Sequence, residues 1–201
     1  FKQPYDPKSF NLQQTATNIL GLEYKEIIPK IEYKVKDRPC KEKYICISPH
    51  ASAGAKYWQH PTGWQDIIDY INNTLKYKVL LISHEGHNDS FHNSKLPGGK
   101  KLKNIVDFTG DHPIEDIMSI IHHSELYIGV SSGLAWLTWA LNKPTLMISG
   151  FSSEWTEFSS KMTRIINKDV CNSCFNNHKL DAGDWDWCPS HKDTPRQFEC
   201  T

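Results

Sequence analysis

Short apolar runs alternating with stretches of helical period dominate the middle of this chain. The runs are residues 44–48 (YICIS), 78–83 (KVLLIS), 104–108 (NIVDF), 125–130 (ELYIGV) and 145–149 (TLMIS). They are nearly continuous in hydrophobicity and rich in β-branched residues, which predicts strands buried on both faces, as in a parallel sheet. Trp64, Ile67, Ile68, Ile71 and Leu75 share one face of a helix predicted over 63–75. Ile114, Ile117, Met118 and Ile121 do the same over 113–122. A helix over 131–141 is stopped by Asn142-Lys143-Pro144, and a sixth strand is expected over 164–166. Such alternation gives an α/β fold, a Rossmann-like parallel sheet with flanking helices and right-handed crossovers. Ligands of these sheets sit beyond the carboxyl ends of the strands.

Residues 1–43 read as a helical arm and linker. Asp6-Pro7 can open a helix, Leu12, Ala16, Ile19 and Leu20 recur at helical spacing, and Gly21 can cap the end. The charged stretch 31–43 suits a linker or an edge strand. Residues 44–167 form the sheet domain. Residues 168–201 differ: they are polar and aromatic, with too few aliphatic side chains to fold by burial. They carry Cys171, Cys174, Cys188 and Cys200 in the pattern Cys-x2-Cys-x13-Cys-x11-Cys. A four-thiolate metal site would hold such a finger together. Zinc fits a redox-silent tetrahedron of thiolates, and iron is equally good soft-ligand chemistry. Three disulfides in a secreted protein are the alternative. Against them, Cys40 and Cys46 lie far from the other four, and Cys46 falls in an apolar run where a buried inert thiol is expected.

The charges balance, with 23 Lys+Arg against 23 Asp+Glu. Nothing therefore argues for electrostatic binding to nucleic acid or to an anionic membrane. No run approaches the roughly 18 apolar residues of a membrane span. The chain opens at Phe1, without an initiator Met or a visible signal peptide, so it is expected to be part of a longer protein.

Three segments carry candidate chemistry. After the first strand comes Ser48-Pro49-His50-Ala51-Ser52-Ala53-Gly54-Ala55-Lys56-Tyr57-Trp58. Small residues let backbone amides approach an anion, and Lys56 supplies a point charge. It is not a Walker A loop, because the Gly-Lys-Ser/Thr ending is missing. The second segment is Gly129-Val130-Ser131-Ser132-Gly133-Leu134, again strand to helix. Ser131 or Ser132 is the expected N-cap, and a diphosphate there would meet amides, a favourable dipole and two hydroxyls. Trp136 is near enough to line that site. The same string matches Gly-x-Ser-x-Gly, which would make Ser131 a nucleophile. The later histidines, His178 and His191, fall in the cysteine segment, a poor place for a general base. The third segment is His84-Glu85-Gly86-His87, where Glu85 could accept hydrogen bonds from a ribose. His122-His123, at a helix end, reads as a helix-dipole contact.

Taken together, these residues resemble the nucleotide-sugar-binding half of the heptosyltransferase superfamily, glycosyltransferases of the GT-B type. Lys56-Tyr57-Trp58 matches the family's lysine and aromatic pair, and Glu85 its acidic residue after the next strand. Ser131-Ser132-Gly133-Leu134-Ala135-Trp136 matches in part its Asp-Ser/Thr-Gly-Leu-x-His motif. The departures, Ser131 for Asp and Trp136 for His, resemble the bacterial autotransporter heptosyltransferases. So do Ile148-Ser149-Gly150-Phe151-Ser152 with Glu157-Phe158, and the tail Asp184-Trp185-Asp186-Trp187-Cys188-Pro189 with Thr194-Pro195-Arg196-Gln197-Phe198-Glu199-Cys200.

That resemblance implies a cytoplasmic bacterial enzyme that transfers heptose from ADP-heptose to serine hydroxyls of an autotransporter adhesin. It implies a homo-oligomer, and iron rather than zinc on Cys171, Cys174, Cys188 and Cys200. Lys56 would be the catalytic cation that neutralises the leaving ADP, with Ser52 on the same phosphates. The Ser132, Gly133 and Leu134 amides would hold the diphosphate, and Glu85 the ribose. No catalytic divalent cation is expected. The acceptor site and the general-base aspartate are expected in an N-terminal domain outside this chain. Two other readings fit the residues: a metal-stapled binding module without catalysis, and a related transferase using another ADP-sugar.

Overall fold

In a computed structural model, residues 7–84, 101–177 and 187–201 are described. Six strands make one sheet: β1 (Tyr44–Ser48), β2 (Lys78–Ser83), β3 (Val106–Thr109), β4 (Leu126–Val130), β5 (Thr145–Ile148) and β6 (Met162–Ile165). All pairings are parallel, in the order β3-β2-β1-β4-β5-β6. The helices are α1 (Leu12–Ile19), α2 (Gly63–Tyr70), α3 (Ile114–His123), α4 (Gly133–Ala140) and α5 (Cys174–Asn177).

Strand period places alternate side chains on opposite faces, and both faces are covered. Ile45, Ile47, Val79, Leu81, Ile128 and Val130 pack with Trp64, Ile68 and Ile71 of the α2 side. Tyr44, Cys46, Leu80, Ile82, Tyr127 and Met147 pack with Ile117 and Ile121 of α3 and with Ala135 and Trp139 of α4. This is the three-layer α/β arrangement expected from the unbroken apolar runs. Cys46 is fully buried and unbonded, and burial pushes its thiol up to about 12.

The boundaries move where burial is incomplete. The α2 pattern, expected to run to Leu75, is α-helical only to Tyr70 and continues as a wide π-type turn over Ile71–Leu75. Of the expected Asp6-Pro7 helix start, Asp6 lies outside the described residues. A 3-10 turn covers Pro7–Ser9, and α1 starts at Leu12, with Asn11 Oδ1 accepting from the Gln14 amide at 2.7 Å. That is an ordinary N-cap. Residues 31–43 add no strand to the sheet.

The arm is strapped to the domain by polar contacts. His122 and His123 lie in the last turn of α3, where a dipole contact was expected, and they also hold the arm: His122 Nδ1 lies 2.8 Å from Tyr33 Oη, and His123 Nε2 lies 2.9 Å from the Lys36 carbonyl. Glu26 accepts from the amides and hydroxyls of both Ser159 and Ser160 at 2.6–2.9 Å. Ser160 Oγ in turn accepts from Trp139 Nε1 at 2.9 Å. Burial alone would raise the Glu26 pKa, but these bonds outweigh it and hold the carboxyl below the usual carboxylate range. A depressed carboxylate adds stability above its unfolded pKa, near about 4.3, and loses it as pH falls through the folded value. Corrected for its intrinsic pH dependence, amide exchange at Ser159 and Ser160, whose N–H groups donate to Glu26, should therefore lose protection in acid below that range. In Glu26→Gln the exchange should be faster throughout and the acid step absent.

Candidate functional site

Strands β1 and β4 are neighbours, yet the chain leaves β1 toward β2 and β4 toward β5. The two exit loops diverge and open a crevice at the switch point of the sheet. A cavity of about 580 Å³ lies there, within the roughly 300–1,000 Å³ of small-molecule sites. Ser52, Lys56, Ser131, Ser132, Gly133, Leu134 and Trp136 all line it. The expected ribose partner Glu85 lies outside the described residues, as does His87.

Local sequence explains how Lys56 is presented. Gly54–Lys56 forms a 3-10 turn. The next two residues anchor it in the core. Tyr57 is 1% exposed, with its ring edge-on to His50, and Trp58 packs edge-on against Trp64 at 5.5 Å. Lys56 itself stays half-buried and faces the cavity. Burial lowers its pKa, and the Glu157 carboxylate nearby opposes that shift.

Ser132 occupies the N-cap of α4, but its hydroxyl does not cap the helix and lies 3.5 Å from Tyr127 Oη. The first bonds of the helix run from the Ala135 and Trp136 amides to the Ser132 carbonyl. The amides of Gly133 and Leu134 therefore precede any intrahelical acceptor and sit at the positive end of the helix. Gly133 is exposed and lines the cavity. An ammonium and a helix N-terminus thus border the same space, which suits a diphosphate.

The Ser131 hydroxyl donates to Glu157 Oε1 at 2.5 Å. Its partner is a carboxylate, not the histidine that a nucleophile elbow needs. Glu157 also accepts from Ser152 Oγ, at 3.1 Å to Oε1 and 3.4 Å to Oε2, and pairs with the Arg164 guanidinium of β6. Arg164 donates further to Ser149 Oγ at 2.7 Å. The Arg164 and Glu157 side chains are only 6% and 2% exposed. Sequence reasoning gave this ion pair no role. Its partners come from β4, the β5–β6 loop and β6, so no local spacing announces it.

The C-terminal segment packs on the β5–β6 loop. The Ser173 amide donates to the Gly150 carbonyl at 2.8 Å and the Phe175 amide to the Phe151 carbonyl at 2.9 Å. Asn176 Oδ1 accepts from the Ser153 amide at 2.8 Å and from Thr156 Oγ1 at 2.9 Å. The approach requires glycine at 150: a Cβ there would lie 2.0 Å from the Cys200 carbonyl oxygen. Phe151 and Phe175 both reach the cavity wall.

All six cysteines are free thiols. Burial first, and then the charges of Cys174, Cys171 and Cys188, push Cys200 up to about 12. Burial, Glu199, Cys174 and Cys188 raise Cys171. The structure does not gather the four expected thiols into one ligand group: among the described residues, the ligand atoms that lie within 4.8 Å of one another are those of Cys171, His191 and Glu199. Of the two tryptophans in this segment, Trp185 lies outside the described residues, and Trp187 carries the Lys192 ammonium 4.1 Å from its ring centroid.

Comparison with known proteins agrees with this geometry. The profile of glycosyltransferase family 9 (heptosyltransferase) matches residues 8–182. The autotransporter heptosyltransferase BAHTCr of Citrobacter rodentium is 36% identical over 99% of this chain and 47% of its own length. A relative from Burkholderia thailandensis, the inactive autotransporter heptosyltransferase BimC, is 30% identical over 98% of the chain and 46% of its own. The crystal structure of the dodecameric, iron-containing heptosyltransferase TibC of enterotoxigenic Escherichia coli, in complex with ADP-D-beta-D-heptose, superposes with a TM-score of 0.87. It is 33% identical, over 99% of this chain and 51% of TibC. The chain spans about half the length of the relatives it matches. Among the described residues, no helix is long and apolar enough to cross a membrane. With its profile match, its relatives and its parallel sheet in agreement, the chain belongs to glycosyltransferase family 9, the heptosyltransferases.

Proposed function

We propose that this chain is the donor-binding half of a protein O-heptosyltransferase that moves heptose from ADP-heptose to serine hydroxyls of an autotransporter adhesin. The observation that carries the reading is the cavity at the β1/β4 switch point, bordered by Lys56 and by the amino end of α4. In the transfer, the bond from the anomeric carbon to the diphosphate oxygen breaks and a bond to the serine oxygen forms. The serine proton passes to a base supplied by another part of the protein. Negative charge grows on the departing ADP, and the Lys56 ammonium with the Gly133 and Leu134 amides stabilises it there. Ser52 is placed to add a hydroxyl on the phosphates, and Glu85 is proposed for the ribose. A lysine and a helix terminus supply this charge, so the chemistry is proposed to run without a catalytic divalent cation.

Cys171, Cys174, Cys188 and Cys200 would hold iron, as the iron-containing state of TibC supports, with zinc as the alternative. The metal would supply folding energy to a segment that has little core of its own. A cytoplasmic bacterial enzyme working as a homo-oligomer is part of the same reading, supported by the dodecameric state of TibC.

Calorimetric titration tests the donor. ADP-heptose and ADP should bind the chain about stoichiometrically, as one preformed pocket requires, and UDP- and GDP-sugars should not compete. Binding of a non-adenine nucleotide sugar in preference to ADP-heptose would overturn the assignment.

A further inference from the structure

We propose that Glu157 is a positioning residue of the donor site, tying the turn after β4 to β6 and holding the Lys56 ammonium by charge. The diphosphate part of this proposal rests on the donor reading above. Three observations carry it. The carboxylate is 2% exposed and lines the cavity together with Lys56. Its oxygens are already engaged by Ser131, Ser152 and Arg164. It is the charged neighbour that acts on Lys56.

Those contacts define what Glu157 does. With Ser131, Ser152 and Arg164 all donating to it, the carboxylate is an anchor rather than a proton acceptor for substrate. Ser131 immediately precedes the N-cap of α4, so holding its hydroxyl fixes where the Gly133 and Leu134 amides point. Arg164 neutralises the buried carboxylate from the side away from the turn, as a buried charge requires. Lys56 faces Glu157 from the β1 loop. Burial disfavours the charged lysine, and a carboxylate beside it restores that form. The other titratable groups on this cavity are His50 in the β1 loop, His84 after β2 and His112 after β3. Each can only add positive charge, which would favour the neutral amine. Glu157 is the acidic group among the described residues that line the cavity.

The test reads Lys56 directly. The ε-methylene carbon of Lys56, identified by its absence in Lys56→Arg, is titrated by NMR in the wild type and in Glu157→Gln. Glutamine keeps an acceptor for Ser131 and removes the charge. The Lys56 midpoint should fall, as expected on losing an opposite charge that borders the same cavity. If the lone substitution leaves Arg164 unpaired and the chain fails to fold, Glu157→Gln/Arg164→Met removes the pair together and should give the same fall. An unchanged midpoint in a folded variant overturns the proposal, since a purely structural Glu157 would not move the titration.

ADP titration of the same samples separates this inference from the donor reading. ADP binding that weakens in Glu157→Gln, and weakens further as pH rises and the neutral amine grows, supports both. A fallen midpoint with no ADP binding by the wild type retains the Lys56 coupling and removes the diphosphate role. ADP binding with an unmoved midpoint removes Glu157 and leaves the donor reading standing.

Discussion

Alanine at Lys56 is expected to weaken ADP binding by about 100-fold, or about 2.7 kcal/mol, the scale of a charge-assisted bond to phosphate in a partly buried site. The substitution removes the ammonium that faces the cavity, while Tyr57 and Trp58 keep the turn anchored in the core. The melting temperature of the unliganded chain should change little. Burial already disfavours the charged side chain, so its removal relieves a cost as well as losing packing. The pH dependence has a definite sign. A lysine with a lowered pKa loses its proton earlier as pH rises, so wild-type affinity should decline at a lower pH than an ordinary lysine would give. The Lys56→Ala variant should be flat over the same range. Isothermal titration from pH 8 to about 10, above the range in which histidines and the terminal phosphate of ADP change charge, checks both statements. Undiminished affinity in the variant would remove Lys56 from the site. In a transfer assay with the complete enzyme, the loss should appear in kcat as well as KM, because charge on ADP is largest in the transition state.

The contribution of the amino end of α4 is distinct from that of Lys56. The amides of Gly133 and Leu134 carry no titratable group, so the binding left in Lys56→Ala should be theirs and independent of pH. The acidic group on the cavity among the described residues, Glu157, is already engaged by Arg164 and two serines.

Legibility in the sequence followed burial. Strands β1 and β2 start and stop where their apolar runs do, because every residue after Lys78 in the pair is buried. The sheet margins were harder. Edge strand β3 was expected at 104–108 and lies at Val106–Thr109, and β6 was expected at 164–166 and lies at Met162–Ile165. Both are half exposed, so VDFT and MTRI carry polar residues that blur the run. The two loops that border the cavity were readable because they join strand to helix, where local sequence dictates amide direction. The β5–β6 loop was not. Its order comes from elsewhere in the chain: the Leu12 amide bonds the Thr156 carbonyl, Glu26 clamps Ser159 and Ser160, Asn176 holds Ser153 and Thr156, and Arg164 pairs with Glu157. None of these partners is at a periodic spacing, and hydrogen bonds between distant polar residues leave no hydropathy signal.

Serine at Cys188 is expected to release the bound metal and undo the C-terminal segment, leaving the sheet folded. The segment has a small apolar cluster: Cys174 packs with Phe151 and Ala55, with Phe175 and Phe198 beside them. A structural metal on four thiolates typically supplies about 10–16 kcal/mol to segments of this kind, far more than that cluster can. Metal content should drop from about one to near zero per chain, as loss of one of four ligands predicts. Proteolysis should then begin within residues 168–201, while Cys40→Ser, outside the cluster, keeps its metal. The effect should reach the donor site in attenuated form. Phe175 lines the cavity, and the Ser173, Phe175 and Asn176 bonds hold the loop that carries Glu157. ADP affinity should therefore fall in Cys188→Ser, but by less than in Lys56→Ala, because the α4 terminus and Lys56 rest on β4 and β1. Elemental analysis with ADP titration of the same samples decides. Full metal occupancy in Cys188→Ser would remove that thiol from the ligand set. Metal loss with unaltered ADP affinity would show that the finger does not brace the donor cavity.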